Sequence, residues 1–171
     1  MGIHIRVAQP EDAHDYVLCN VECWRSAYQG ILPDAYLEGM TSEVERRTSE
    51  YRRSFRNPGN LVYFCAESEG KIVGRLVVGQ GRDWDKPDAG EVGAIYLLEA
   101  FWGKGYGKEL MDHGVQTLKG MGYQDVFLWV LEKNSRARRF YERYGFVPDG
   151  QTGKVEYGAV LQVLRYVLSP I

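Results

Sequence analysis

With 171 residues, 44% of them hydrophobic, the chain has the length of one compact domain, residues 1–171, and enough apolar side chains for a substantial core. A formal charge of -2 and a pI of about 6.0 exclude the basic balance of a nucleic-acid or membrane-surface binder and favour a small soluble partner. Cys19, Cys23 and Cys65 match no zinc spacing and His4, His14 and His113 stand singly, so free buried thiols and no metal are expected; no signal peptide and no apolar run of ~20 residues is found, which implies a cytoplasmic setting.

Ile3, Ile5 and Val7 alternate with polar neighbours and predict a first strand, closed by Gln9-Pro10. Glu11 and Asp12 then open a helix in which Val17, Leu18, Val21, Trp24, Arg25 and Tyr28 recur at helical spacing as far as Gly30. A second helical stretch begins at Pro33-Asp34 and runs through Thr41 to Phe55. Its charges, Arg46, Arg47, Arg52, Arg53 and Arg56 with Glu43, Glu45 and Glu50, read as a solvated face rather than a docking surface, although an interaction module is an alternative reading.

Asn57-Pro58-Gly59-Asn60 breaks the helix, and Leu61 to Ala66 with Ile72 to Val78 flank Ser68-Glu69-Gly70-Lys71 as an antiparallel hairpin. Residues 80–90 form a loop. Glu91 to Leu98 is a strand that runs into Gly103-Lys104-Gly105-Tyr106-Gly107, and a helix starting near Gly103 carries Leu110, Met111, Val115 and Leu118 on one face until Gly120 and Gly122. Val126 to Leu131 is a short buried strand. Asn134-Ser135 caps a helix with Ala137, Phe140, Tyr141 and Tyr144 at i, i+3, i+4 and i+7, which Gly145 ends. Phe146-Val147 starts another strand, Asp149-Gly150 and Thr152-Gly153 are turns, and Val160 to Leu168 closes the chain as a strand.

This order predicts an α/β (α+β) mixed sheet of about seven strands and about four helices on its faces. Its parallel pair is Glu91 to Leu98 beside Val126 to Leu131, joined by a right-handed crossover. A strand that enters a helix through alternating glycines collects free backbone N–H groups at the positive end of a helix dipole, which suits a phosphate; a tight turn that lets the helix pack closely fits the same glycines. Two other phosphate loops fail on spacing. A Walker loop needs Ser or Thr where Glu109 stands, and a dinucleotide fingerprint needs Gly or Ala at Lys108 or Leu110.

The segment resembles the pyrophosphate motif of the GNAT superfamily of acetyl-coenzyme A dependent N-acetyltransferases: Gln or Arg, two variable residues, Gly, one variable residue, then Gly or Ala. Trp102-Gly103-Lys104-Gly105-Tyr106-Gly107 matches it except at Trp102. The family's second motif is matched by Asn134, Ala137, Tyr141 and Gly145-Phe146, and with the strand order the resemblance covers nearly the whole chain.

The resemblance implies that the central parallel pair splays and that the coenzyme's pantetheine arm lies between the strands, pairing near Ile95, Tyr96 and Leu97. It implies a pyrophosphate site from Trp102 to Lys108 and coenzyme contacts from Asn134, Ala137 and Phe140. It also implies direct transfer of acetyl to an amine, with Tyr141 as general acid and Glu91, eleven residues before Trp102, as a base acting through water. One of Arg136, Arg138, Arg139 and Arg143 is a candidate for the 3′-phosphate. The acceptor expected is a small-molecule amine, polyamine-like or another metabolite, near Trp24 and Tyr28, with Tyr36 and the acids Glu22, Asp34 and Glu38 close by; a peptide or protein amine and a non-catalytic acyl-coenzyme A sensor are alternatives. No nucleic-acid or membrane partner is expected, and a homodimer is allowed.

Overall fold

The computed structural model describes residues 2–171. Among these, β1 (His4–Val7) is followed by α1 (Ala13–Tyr28), α2 (Asp34–Gly39) and α3 (Val44–Arg56), then by β2 (Leu61–Ser68), β3 (Lys71–Gln80) and β4 (Gly90–Leu97). Next come α4 (Tyr106–Gly120), β5 (Val126–Leu131), α5 (Ser135–Tyr144), β6 (Val147–Glu156) and β7 (Val160–Leu168). All seven strands form one sheet in the order β1-β2-β3-β4-β5-β7-β6. The mixed α/β architecture expected from the strand and helix order is the one observed.

Every neighbouring pair is antiparallel except β4 and β5. Those two pair only at Gly90 with Val126 and Glu91 with Phe127, after which they diverge to the ends of both strands. A bulge assists the divergence: Val78 of β3 faces Val92 while Val77 faces Ala94, leaving Gly93 as the extra residue. The result is a V-shaped gap in the middle of the sheet, open toward the N-termini of α4 and α5.

Helices cover both faces. On one, Leu110, Met111 and Leu118 of α4 are fully buried against Leu76, Val78, Val126 and Leu128 of the sheet. Each such side chain contributes about 1.5–3 kcal/mol by leaving water. Gly114 lets the helix approach, since a Cβ there would stand 3.2 Å from Leu76 and Val78 methyl groups. On the other face Val17 and Val21 of α1, Leu37 and Val44 pack on Leu131 and Val163, and Tyr16 packs with Cys65 under α3.

Four details depart from the sequence reading. The first turn at Glu11 and Asp12 is a 3₁₀ turn, Pro10–Asp12, and the α-helix starts at Ala13. The second helical stretch is broken by a 3₁₀ turn, Met40–Glu43, because α2 stops at Gly39, whose carbonyl accepts a hydrogen bond from the Ser42 hydroxyl. The glycines precede α4 rather than open it: Gly105 is its N-cap, with a φ of 86°. Thr152-Gly153 is no turn but lies inside β6, opposite Leu164 and Val163. Gly153 marks close packing instead, because a Cβ there would meet Val163 at 3.2 Å and the Trp129 ring at 3.5 Å.

Candidate active site

Gly103 and Gly105 have φ values of 71° and 86°, in the left-handed region that glycine tolerates, and a Cβ at either would project into open space. The backbone of this turn is thus bare toward the N-terminus of α4, which favours an anion. The Trp102 side chain takes a role the sequence did not reveal. Its indole N–H donates to the Leu97 carbonyl at 2.8 Å, tying the turn to the end of β4, and the Arg136 guanidinium carbon stands over the ring, 3.3 Å from its centroid.

The gap between β4 and β5 is a cavity of about 960 Å³. Ile95, Tyr96 and Leu97 form one wall and Val130 and Leu131 the other, while Gly103, Gly105, Gly107 and Lys108 close one end with Asn134, Ala137, Phe140 and Tyr141. Trp24, Tyr28 and Glu91 also line it. The expected site residues therefore converge on one cavity, with two exceptions: Lys104 is exposed beside Phe101, and Tyr106 packs into the core against the same ring. The acids Glu22, Asp34 and Glu38 are exposed outside the cavity, and Tyr36 packs against Tyr157 without reaching it.

Asn134 is buried and caps α5, its side chain accepting from the Ala137 N–H at 3.2 Å. Tyr141, about two turns further along the helix, is held by the rings of Phe140, Phe146 and Tyr166. Burial raises its phenol above the ordinary tyrosine value, so it is protonated throughout the neutral range. Across the cavity the hydroxyls of Tyr28 and Tyr96 share a hydrogen bond of 2.7 Å, and burial raises both. Of the arginines on α5, Arg136 and Arg143 line the cavity, whereas Arg138 is engaged elsewhere, by the Tyr166 hydroxyl and the Glu132 carbonyl.

Glu91 is 5% exposed and is held by Arg82 on both carboxylate oxygens. The Nη2 and Nε of Arg82 donate to Oε1 and Oε2 at 2.7 and 3.0 Å, and its backbone N–H donates to Oε2 at 3.3 Å. Arg82 sits on the segment between β3 and β4, residues 81–89, which is itself fixed from β7. There Arg165, buried in the strand, donates to Asp83, Asp85 and Asp149 at 2.7–2.8 Å, and the Trp129 indole N–H donates to Asp83 at 3.1 Å.

Arg82, Trp129, Tyr157 and Arg165 were not singled out in the sequence. Only Arg165 left a signal, as a cation inside the apolar run from Val160 to Leu168, with Asp83 and Asp85 as acids in need of one.

The model of the acetyltransferase (GNAT) family matches residues 24–146, which contain most of the residues lining this cavity. The chain belongs to that family. It is an acyltransferase that depends on acetyl-coenzyme A. A probable N-acetyltransferase of Mycobacterium tuberculosis is 33% identical over 88% of this chain and 83% of the relative. A spermidine N(1)-acetyltransferase of Thermoplasma acidophilum is 23% identical over 90% and 93%. Among solved structures, the PaiA N-acetyltransferase of Thermoplasma acidophilum in complex with coenzyme A superposes with a TM-score of 0.77 at 19% identity, covering 96% of this chain and 98% of that one. The yncA protein of Salmonella typhimurium with its cofactor acetyl-CoA gives 0.72 at 19% identity, over 99% and 94%. These likenesses speak for the fold of the GNAT domain. No helix among the described residues is long and apolar enough to cross a membrane.

Proposed function

We propose that the chain transfers acetyl from acetyl-coenzyme A to the amine of a small molecule by direct attack, with Tyr141 as general acid. The observation that carries this reading is the placement of a buried, protonated phenol in the wall of the cavity formed by the splayed strands. The cavity suits the co-substrate. The bare turn at Gly103 and Gly105, with Lys108, Arg136 and Arg143 around it, offers backbone donors and cations to phosphates, and the gap between β4 and β5 offers unpaired strand edges to an amide-containing arm.

When bound, acetyl-coenzyme A supplies an activated thioester. The residues of the chain do the rest. The edge of β4 that the splay leaves unpaired beyond Glu91 offers backbone N–H groups to a developing oxyanion. Tyr141 gives its proton to the leaving sulfur, whose conjugate thiol has a pKa of about 8.5. An alkylamine with a pKa near 10.4 must lose a proton before it attacks. Glu91 was the expected base. Three hydrogen bonds from Arg82 already occupy its oxygens, so in this reading it positions Arg82 and the amine sheds its proton to solvent.

Replacing Tyr141 by Phe should lower kcat by about 10²- to 10⁴-fold while acetyl-coenzyme A binding stays within a few-fold. Unchanged turnover would remove Tyr141 from the mechanism. Glu91→Gln separates the two roles of Glu91. A positioning residue leaves the pH profile of kcat/KM rising toward the amine's own pKa, whereas loss of an acidic limb restores the base.

A further inference from the structure

The end of the cavity away from the glycine turn carries information about the acceptor. Its walls are aromatic. Trp24 meets the edges of Tyr28 and Tyr157 at centroid distances of 4.9 and 5.1 Å, and Trp129 lies nearby on β5. Of all the residues that line the cavity, Glu91 alone is acidic, and Arg82 already neutralises it. A polyamine, which keeps at least one further ammonium group after its attacking nitrogen is neutral, meets no free carboxylate there.

Arg82 itself is unsaturated. Its Nε and Nη2 are committed to Glu91, which leaves the N–H groups of Nη1 directed elsewhere, and its side chain is 74% exposed. The pairing also fixes it in place, because swinging away would strand a carboxylate whose own side chain is 6% exposed. The cations beside the glycine turn cannot serve the same anion. Glu91 precedes Leu97 by six residues of β4, roughly 20 Å of extended chain, so Arg82 stands apart from Lys108, Arg136 and Arg143; the remaining cation of the lining, Lys154, is exposed on β6 and is a flexible point charge rather than a planar fork.

We propose that the acceptor is a primary amine that also bears a carboxylate on an apolar or aromatic body, an amino-acid-like molecule, and that Arg82, held by Glu91, receives the carboxylate. This rests on the transferase reading above. Transfer to such a molecule forms one C–N bond and breaks the thioester C–S bond; the ammonium loses one proton to solvent before attack and a second as the amide forms, the sulfur takes a proton from Tyr141, and Tyr141 is reprotonated from solvent.

The test measures thiol release from acetyl-coenzyme A with L-phenylalanine and L-tryptophan, with their decarboxylated counterparts phenethylamine and tryptamine, and with spermidine. The expected result is a kcat/KM for the amino acids at least about tenfold above that for the matching amines and spermidine. Arg82→Gln should then reduce that preference by about 10- to 100-fold, the range expected for losing a charged hydrogen bond. The loss should fall on KM and be partly restored in Arg82→Lys. Equal or better use of the decarboxylated amines or of spermidine, or an equal loss for both classes in Arg82→Gln, overturns the assignment and leaves the transferase reading standing. No thiol release with any of the five also overturns the amino-acid assignment, whereas the transferase reading itself fails only if Tyr141→Phe leaves turnover with an accepted amine unchanged.

Discussion

Arg165→Met tests the link between the sheet and the segment that carries Arg82. The Arg165 side chain is 4% exposed and makes four side-chain bonds: Nε to Asp149, Nη1 to Asp83 and Asp85, and Nη2 to Asp85. Methionine keeps most of the volume against Trp129 and Phe127 but leaves the acids without their cation. Removing one partner of a fully buried ion pair costs 3–5 kcal/mol. Here the carboxylates are 20–31% exposed, so water recovers part of their solvation and the expected loss is about 2–3 kcal/mol. For a chain of this length that lowers Tm by about 4–12 °C. Denaturant unfolding measures the loss, and amide exchange at residues 81–89 should accelerate beyond the rest of the chain. A loss under about 1 kcal/mol with unchanged exchange at 81–89 would refute the idea that Arg165 holds this segment.

Two further perturbations address other parts of the molecule. Gly105→Ala forces a left-handed φ of 86° on a residue with a Cβ, at a cost of about 1–2 kcal/mol, and sets a methyl group in the open turn. Both Tm and the stabilisation by acetyl-coenzyme A should fall, and a melt unaltered with and without the co-substrate would count against the cradle. Asp12 is held below the ordinary carboxylate range by hydrogen bonds from Arg6, so its contribution is present above the unfolded value of about 3.9 and is lost as pH falls through its lower folded value. Asp12→Asn should therefore be less stable at pH 7, with the gap narrowing in acid; urea midpoints that differ equally at pH 7 and pH 3 would contradict this.

Much of the fold was legible because its elements announce themselves locally. The period-two strands, the capped α5 and the glycines flanking α4 all act through neighbours within a few residues. The errors arose where one residue type serves two purposes. Gly153 read as a turn because glycine usually supplies conformational freedom, yet here it makes room for Trp129 across the sheet. The single helical stretch after Pro33 read as continuous because charge and periodicity persist through Thr41 and Ser42, whose side chains nonetheless take hydrogen bonds with Arg25 and with Gly39. Trp102 was visible as a departure from the family's pattern, but its bond to Leu97 and the overlying Arg136 depend on how the turn folds back on β4.

The two halves of the cavity differ in the same way. The end at the glycine turn is built from two contiguous motifs, Trp102 to Lys108 and Asn134 to Tyr141, so spacing alone brings it together. The proposed acceptor end takes Trp24 from α1, Arg82 from the β3–β4 segment, Glu91 from β4, Trp129 from β5 and Tyr157 from the turn after β6. No spacing rule spans those separations. What places Arg82 is a long-range charge match, Arg165 to Asp83 and Asp85, some eighty residues away in sequence. Residues 81–89 are thus anchored from β7 through Arg165, from β5 through Trp129 and from β4 through Glu91. If Arg82 receives the acceptor's carboxylate as proposed, that recognition is written in a loop between two strands, where sequence periodicity gives no signal.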